Sequence, residues 1–332
     1  MIKDGIINLL KPAGMTSHDG VSMLRRLTGV KRIGHTGTLD PFAVGVLPLC
    51  IGSAARINEY LDLDEKRYRC EMQLGIETDT QDIWGAVIAS NPEKAAKVTL
   101  NQIQSELNQF KGYIKQIPPK YSAIRVNGKR LYEYARAGES VEIKSRPVVI
   151  SEIELISYHK DTGRIMIEIL CSKGTYIRSI CQDLGQALGC GAAMSFLLRI
   201  QSGAFHLDNS VTIEELQNWA NVSESGKLDI EHTDEYLLPT DKPLCYFGSL
   251  LLSPGREKWF LNGGYLIERD VKRIEEPFQN YDIESIQRRM EHLGIKEIYH
   301  QAYKVYSNQT FLGVVFYQPQ TNRYVADKVF YK

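Results

Sequence analysis

No stretch of this 332-residue chain approaches the ~20 consecutive apolar residues that a membrane helix requires. The opening Met1-Ile2-Lys3-Asp4 lacks the long apolar core of a secretory signal. Cysteine is scarce: six residues (Cys50, Cys70, Cys171, Cys181, Cys190, Cys245) are scattered without a C-x-x-C pair. Reduced thiols in a cytoplasmic protein are therefore expected, rather than a disulfide framework or a zinc site. The seven histidines show no metal-ligand spacing. Phosphate-loop and dinucleotide fingerprints, internal repeats and low-complexity tracts are missing too. Net charge is also lacking, with 40 basic and 40 acidic residues. Averaged over the chain, that balance argues against a nucleic-acid binder. What remains is an ordinary soluble globular composition, 43% hydrophobic and 24% charged, long enough for one large domain and one small one.

The charge is unevenly spread. From Lys111 to Arg146 there are nine Lys/Arg against three acids, and from Asp208 to Lys242 nine acids against two lysines. Local surpluses, not the mean, set the field that a phosphate backbone meets. In the basic segment, Lys129, Arg130 and Arg136 are interleaved with Tyr132 and Tyr134, a composition suited to gripping RNA. Pro118-Pro119 stiffens the approach to it, and Asn127-Gly128 provides a tight turn.

The stretch with most chemical promise is Gly34-His35-Thr36-Gly37-Thr38-Leu39-Asp40-Pro41-Phe42-Ala43-Val44-Gly45-Val46-Leu47-Pro48. Its glycines and prolines exclude a regular helix, and Asp40, preceding a proline, is pushed to an extended conformation. The apolar run from Val44 to Ile51 can anchor the loop in a core. By turn chemistry alone an aspartate before proline is most often only a turn residue. The whole stretch, however, closely resembles the catalytic loop of the TruB family of tRNA pseudouridine synthases. The resemblance places Asp40 on that family's catalytic aspartate and His35 on its loop histidine.

Further stretches agree in the same order along the chain. Residues 5–10 read as a buried strand ending at Lys11-Pro12, with Ser17 capping a helix to about Leu27. The family has the same Lys-Pro beside its site, so Lys11 is expected to support the loop and then to contact RNA. Lys66-Arg67-Tyr68, followed by Leu74-Gly75 through Asp82, matches the family's K-x-Y…L-G-x-x-T-D-T-x-D, which implies that Tyr68 stacks on the target base. Gln116 through Arg136 is similar to the thumb that grips the RNA stem-loop. Gly174-Thr175-Tyr176-Ile177-Arg178 resembles G-T-Y-I-R, whose arginine pairs with the catalytic aspartate; Tyr176 is thereby a substrate-binding candidate. A guanidinium beside a partly buried carboxylate keeps it ionised, so the implied pairing makes chemical sense. The block Gly189 to Arg199 departs from G-C-G-A-H-x-x-x-L-R-R at Ala193 and Leu198, while Leu197 retains the apolar position that walls the base pocket.

The resemblance covers about residues 3–205 well and 244–332 loosely. It implies an α/β (α+β) catalytic domain on a curved mixed sheet, residues 1–240, with the thumb at about 111–146. A small PUA-like β domain would follow at 244–332, with strands near Leu250–Leu252, Lys304–Tyr306, Leu312–Tyr317 and Val325–Val329 and a helix over Ile283 to His292. The implied activity is isomerisation of uridine 55 in the T-loop of tRNA by a monomer, without metal or cofactor. Catalytic roles fall on Asp40, Tyr68 and Arg178, and substrate contacts on His35, Tyr176, Leu197, Lys11, Lys129, Arg130 and Arg136. Two other readings stay open at this point. One is a non-catalytic RNA chaperone on the same fold. The other is a nucleotidyltransferase built on Gly34-His35-Thr36-Gly37, although Thr38 stands where that chemistry needs a second histidine.

Overall fold

A computed structural model describes residues 4–222, 227–228 and 236–330. Of the anticipated acidic segment, Glu224, Asp229, Glu231, Asp234 and Glu235 lie outside the described residues.

Alternation of apolar and polar residues produces long strands that join into one nine-stranded sheet. Its main path runs Gly5–Lys11, Val44–Ile51, Ala192–Ser202, Glu65–Leu74, Arg164–Ser172, Arg146–His159, Gly112–Gln116. All neighbours are antiparallel except Ala192–Ser202 against Val44–Ile51, so the sheet is mixed, as the resemblance implies. Register shifts at Met194/Phe196 and Arg199/Gln201 bend its centre. The strand Glu65–Leu74 has a period of two: Lys66, Tyr68, Cys70, Met72 and Leu74 are buried on one face, whereas Arg69 points to solvent. Lys66 and Tyr68 therefore face the same way.

Helices Ser17–Thr28, Leu100–Phe110 and Ile177–Ala187 lay their apolar stripes on that face, sharing a core that includes Leu24, Ile103, Leu107, Ile180 and Leu184. The first helix is capped by Thr16 rather than by Ser17. Thr16 Oγ1 accepts from Asp19 N at 3.1 Å and the Asp19 carboxylate accepts from Thr16 N at 2.9 Å, a closed capping box. This releases the Ser17 hydroxyl for the Asp40 loop. Residues Gly52–Tyr60 form a 3-10 helix.

Beyond residue 240 a second sheet forms in the order Val271–Glu275, Gly248–Leu252, Ala302–Ser307, Thr310–Gln318, Arg323–Val329 around Leu250, Phe260, Val305 and Tyr324. Four of these strands were expected from alternation. The fifth, Val271–Glu275, is mostly charged and exposed, so it carried no apolar signal. The helix Ile283–Leu293 is capped by Asp282 and closed by Gly294 at φ 65. The small sheet does not stand apart. Phe247, Phe278, Ile286, Tyr299 and Phe330 share one buried cluster with Ile6, Val46 and Cys50 from the large sheet and Ile57 from the 3-10 helix. At its rim Arg289 Nη1 meets Glu65 Oε1 at 2.8 Å, at the first residue of the strand that bears Lys66 and Tyr68. Among the described residues no helix is long and apolar enough to cross a membrane.

Candidate active site

The Asp40 loop is suspended from the elements behind it by charged and hydroxyl groups bonded to its backbone. Arg199, fully buried in the bent strand, donates from Nε to Val46 O (2.7 Å), from Nη2 to Gly37 O (3.0 Å) and from Nη1 to Thr38 O (3.4 Å). Ser17 Oγ donates to Leu39 O (3.1 Å) and accepts from Leu39 N (2.8 Å). Lys11 Nζ donates to Pro12 O, Met15 O and Pro41 O at 2.8, 2.6 and 3.1 Å. Gly45 adopts φ 110, where a Cβ would run into the Arg199 backbone. The glycine thus permits the parallel strand to approach.

Held in this way, Asp40 points into a cleft of about 940 Å³. Arg178, in the first turn of Ile177–Ala187, grips it with two bonds: Nε to Oδ2 at 2.9 Å and Nη2 to Oδ1 at 3.3 Å. The guanidinium is itself fixed by Thr80 O and Tyr121 O, each at 3.0 Å, and lies 3.8 Å from Asp82 Oδ2. Only 7% of the Arg178 side chain is exposed, against 39% for Asp40. The cation is locked in place while the carboxylate still faces the cleft, so Asp40 is oriented and remains open to a ligand.

The cleft brings together most of the residues singled out from the sequence. Tyr68, Leu197, His35 and Tyr176 line it with Asp40 and Arg178, and Arg130 stands at its mouth. Burial raises Tyr68 above the ordinary tyrosine range, although Arg199 opposes the rise, so its hydroxyl is protonated in the free protein. His35 is pushed down by burial, then by Arg199 and Lys66, and its buried Nδ1 has no partner among the described residues. A neutral imidazole is thus presented. Gln116 fixes the Tyr176 backbone on both sides, accepting from its N at 2.8 Å and donating to its O at 3.0 Å.

Three expected substrate contacts lie elsewhere. Lys11 is fully buried behind the loop with its three protons committed to carbonyls, so it supports Asp40 and has no free face for RNA. The Lys129 ammonium pairs with Glu139 at 2.9 Å and lies over the Tyr134 ring. Arg136 stacks over Tyr132 at 5.3 Å. Both belong to a small unit made of Arg125–Val126, Lys129–Arg130 and the helix Leu131–Arg136, which reaches the cleft through Arg125, Arg130 and Tyr132 but not through Lys129 or Arg136.

Four residues of the site were not assigned roles from the sequence: Ser17, Lys66, Asp82 and Arg199. Lys66 is buried in the cleft floor, so close to Gly37 that a Cβ there would meet its Nζ. Among the described residues no carboxylate lies within ion-pair distance of it. Burial, then Arg199 and Lys173, lower it to about 7. Asp82 is raised by burial, with Thr80 and Arg178 opposing. For Arg199 the available signal was a charged residue inside a largely apolar strand, whereas Lys66 sits among Glu65, Arg67 and Arg69 and gives no such signal.

Comparison with known proteins agrees with this geometry. The family model described as "TruB family pseudouridylate synthase (N terminal domain)" matches residues 25–177, and that described as "tRNA pseudouridylate synthase B C-terminal domain" matches residues 178–245. The tRNA pseudouridine synthase B of Alkaliphilus oremlandii is 44% identical over 275 residues, 82% of this chain and 87% of that protein. Its namesake from Clostridioides difficile is 41% identical over 311 residues, 93% of each. Among solved structures, a Cbf5-Nop10-Gar1 complex superposes with a TM-score of 0.71 at 22% identity over 99% of this chain and 86% of that one, a likeness of fold. By family models and by identity across most of its length, the chain belongs to the TruB family of pseudouridine synthases.

Proposed function

We propose that this chain isomerises uridine to pseudouridine in tRNA, at position 55 of the T-loop, acting on a base turned out of the loop's stack. The observation that carries the proposal is the two-bond clamp of Arg178 on Asp40, set in a cleft whose walls are Tyr68, Leu197 and His35. The relatives named above are tRNA pseudouridine synthases, and they are 44% and 41% identical to this chain over 275 and 311 residues.

The reaction breaks the N1–C1′ bond, rotates the uracil, joins C5 to C1′ and moves the C5 proton to N1 or solvent. Asp40 acts on the ribose or the base as nucleophile or base, and Arg178 holds its carboxylate toward the cleft. Tyr68 offers its ring to the extruded base, and its hydroxyl is the group placed to handle the C5 proton. Leu197 closes the apolar wall, and the neutral His35 lines the cleft beside the nucleotide. The basic unit of residues 125–136 contributes Arg125, Arg130 and Tyr132 to the cleft and carries Lys129 and Arg136 outside it, where the T-arm stem would pass.

The test is to incubate the protein with unmodified tRNA and map pseudouridine at single-nucleotide resolution. Product at position 55 is expected, with no turnover by Asp40→Asn while its tRNA affinity stays within a few-fold. Absence of product from the wild type, or product from the asparagine variant above background, refutes the assignment. An RNA chaperone would leave no mark, and a nucleotidyltransferase would require a nucleotide.

A further inference from the structure

Arg178 reads two loops that come from distant parts of the chain. Asp40 lies on residues 36–43, and Thr80 and Asp82 lie on residues 78–85. Each loop is fixed to its own neighbours. The first hangs from Arg199, Ser17 and Lys11. The second is closed internally by Thr78 Oγ1 to Asp82 O (2.6 Å) and Thr80 Oγ1 to Asp82 Oδ1 (2.7 Å), and is tied to the sheet by Ile83 N to Met194 O (2.9 Å). Among the described residues no hydrogen bond or ion pair joins one loop to the other. They touch instead through one ring pair: Phe42, two residues after Asp40, stacks on Trp84, two residues after Asp82. The centroids are 4.3 Å apart and the planes 7° from parallel.

Both rings are 43% exposed, so neither fills the core. A residue pair that spends so much apolar surface on solvent needs a reason beyond packing. Its position supplies one. Along the chain the stack stands two residues from each of the carboxylates that flank the guanidinium, and it joins the two loops that carry them.

We propose that Phe42 and Trp84 form a brace that sets the spacing of the two loops around Arg178, and so are positioning residues for the aspartate that they do not touch. The proposal rests on the catalytic reading of Asp40 given above. Parallel rings resist sliding weakly and separation strongly, so the brace preserves the gap while the cleft mouth adjusts to RNA. A small widening is enough to matter, because catalytic geometry is lost over about an ångström.

The test uses Phe42→Ala, Trp84→Ala, the double variant and the ring-preserving Trp84→Phe, all in the full chain. Each alanine variant is expected to lower the single-turnover rate by on the order of ten- to hundredfold with an unchanged Kd for tRNA. The double variant should be no worse than either single one, because either change alone removes the pair. Trp84→Phe should restore most of the rate. In the free protein, Phe42→Ala should speed amide hydrogen exchange at Ile83 and Gly85, and Trp84→Ala at Ala43, whose N–H donates to Asp40 O. This cross-loop effect is read without any activity, so it stands or falls apart from the assignment of the reaction. Alanine variants that keep their rate but bind tRNA more weakly would show that the rings are a platform for RNA bases and overturn the brace. Additive losses in the double variant, or exchange that changes only in the mutated loop, would overturn it as well.

Discussion

Lys66→Met leaves an unbranched side chain in the floor of the cleft and removes its amine. Burial and then the cations Arg199 and Lys173 bring Lys66 from 10.5 down to about 7. The folded chain therefore binds this proton less tightly than the unfolded chain, and stability from this group rises with pH between about 7 and the ordinary lysine range. Below pH 7 the charged amine remains buried and its whole cost is present. At ~1.4 kcal/mol per unit the fall sets a ceiling of ~5 kcal/mol. The cleft admits water, which raises the effective dielectric and leaves on the order of 1–3 kcal/mol. That is roughly 2–10 °C in Tm for a chain of this size. Asp64 works in the opposite sense: burial raises it to about 7, so stability from that group is lost as pH climbs from about 4 to 7. Lys66 is the foremost charge holding Asp64 down, so in the variant this loss extends to higher pH. The assay is Tm measured from pH 5.5 to 10 for both proteins. The variant should melt higher at pH 6 and show a smaller rise above pH 7, the remainder belonging to Lys11, which burial lowers to about 8 in both proteins. A variant that melts lower at pH 6 and keeps the full rise refutes the account.

Arg178→Lys keeps the charge but replaces a planar fork holding Asp40 and two carbonyls with a single point donor, so turnover should fall by a hundredfold or so; a near wild-type rate would show that the clamp is dispensable. Tyr68→Phe should bind RNA normally and lose most of its rate, whereas Tyr68→Leu should also lose ~1–3 kcal/mol of stacking; equal rates for Phe and Tyr would leave only the stacking role. Truncation after residue 240 uncovers Ile6, Val46 and Ile57 and deletes the Arg289 bond to Glu65, so the shortened chain should melt lower and aggregate. A soluble fragment that modifies a T-arm stem-loop at the full rate would show that the shared core is unnecessary.

The site was legible where its function lies in side-chain identity carried by a long irregular motif. Asp40, Tyr68, Arg178, His35 and Leu197, spread over about half of the chain, line one cleft. What escaped were groups whose work is to hold backbone. Arg199 and Ser17 bond carbonyls and amides of a loop distant in sequence, a relation with no local period to reveal it. Lys11 was legible as support, yet its RNA contact was not separable from that role until its three carbonyl partners were seen. The strands of the small domain showed through alternation, except Val271–Glu275, whose charges mask it. The boundary expected near 240 marks a change in sheet but not in core, because apolar residues on each side of it pack together and composition does not record their partner.

The central strand Ala192–Ser202 lies between Val44–Ile51 and Glu65–Leu74, two strands that leave the ribosome long before it. During synthesis those two cannot settle as neighbours in the native order; a slot must stay open for the late arrival. Until it is filled, Arg199 is not there to suspend the Asp40 loop, and the edges flanking the slot expose unpaired backbone. Insertion of a late strand into a parallel and an antiparallel ladder at once is a high-contact-order event, and slow for that reason. The nascent chain thus carries Asp40, Tyr68 and the basic segment of residues 111–146 before the cleft that Leu197 completes can close. A strand made well past the chain's midpoint sets the geometry of a loop made near its start.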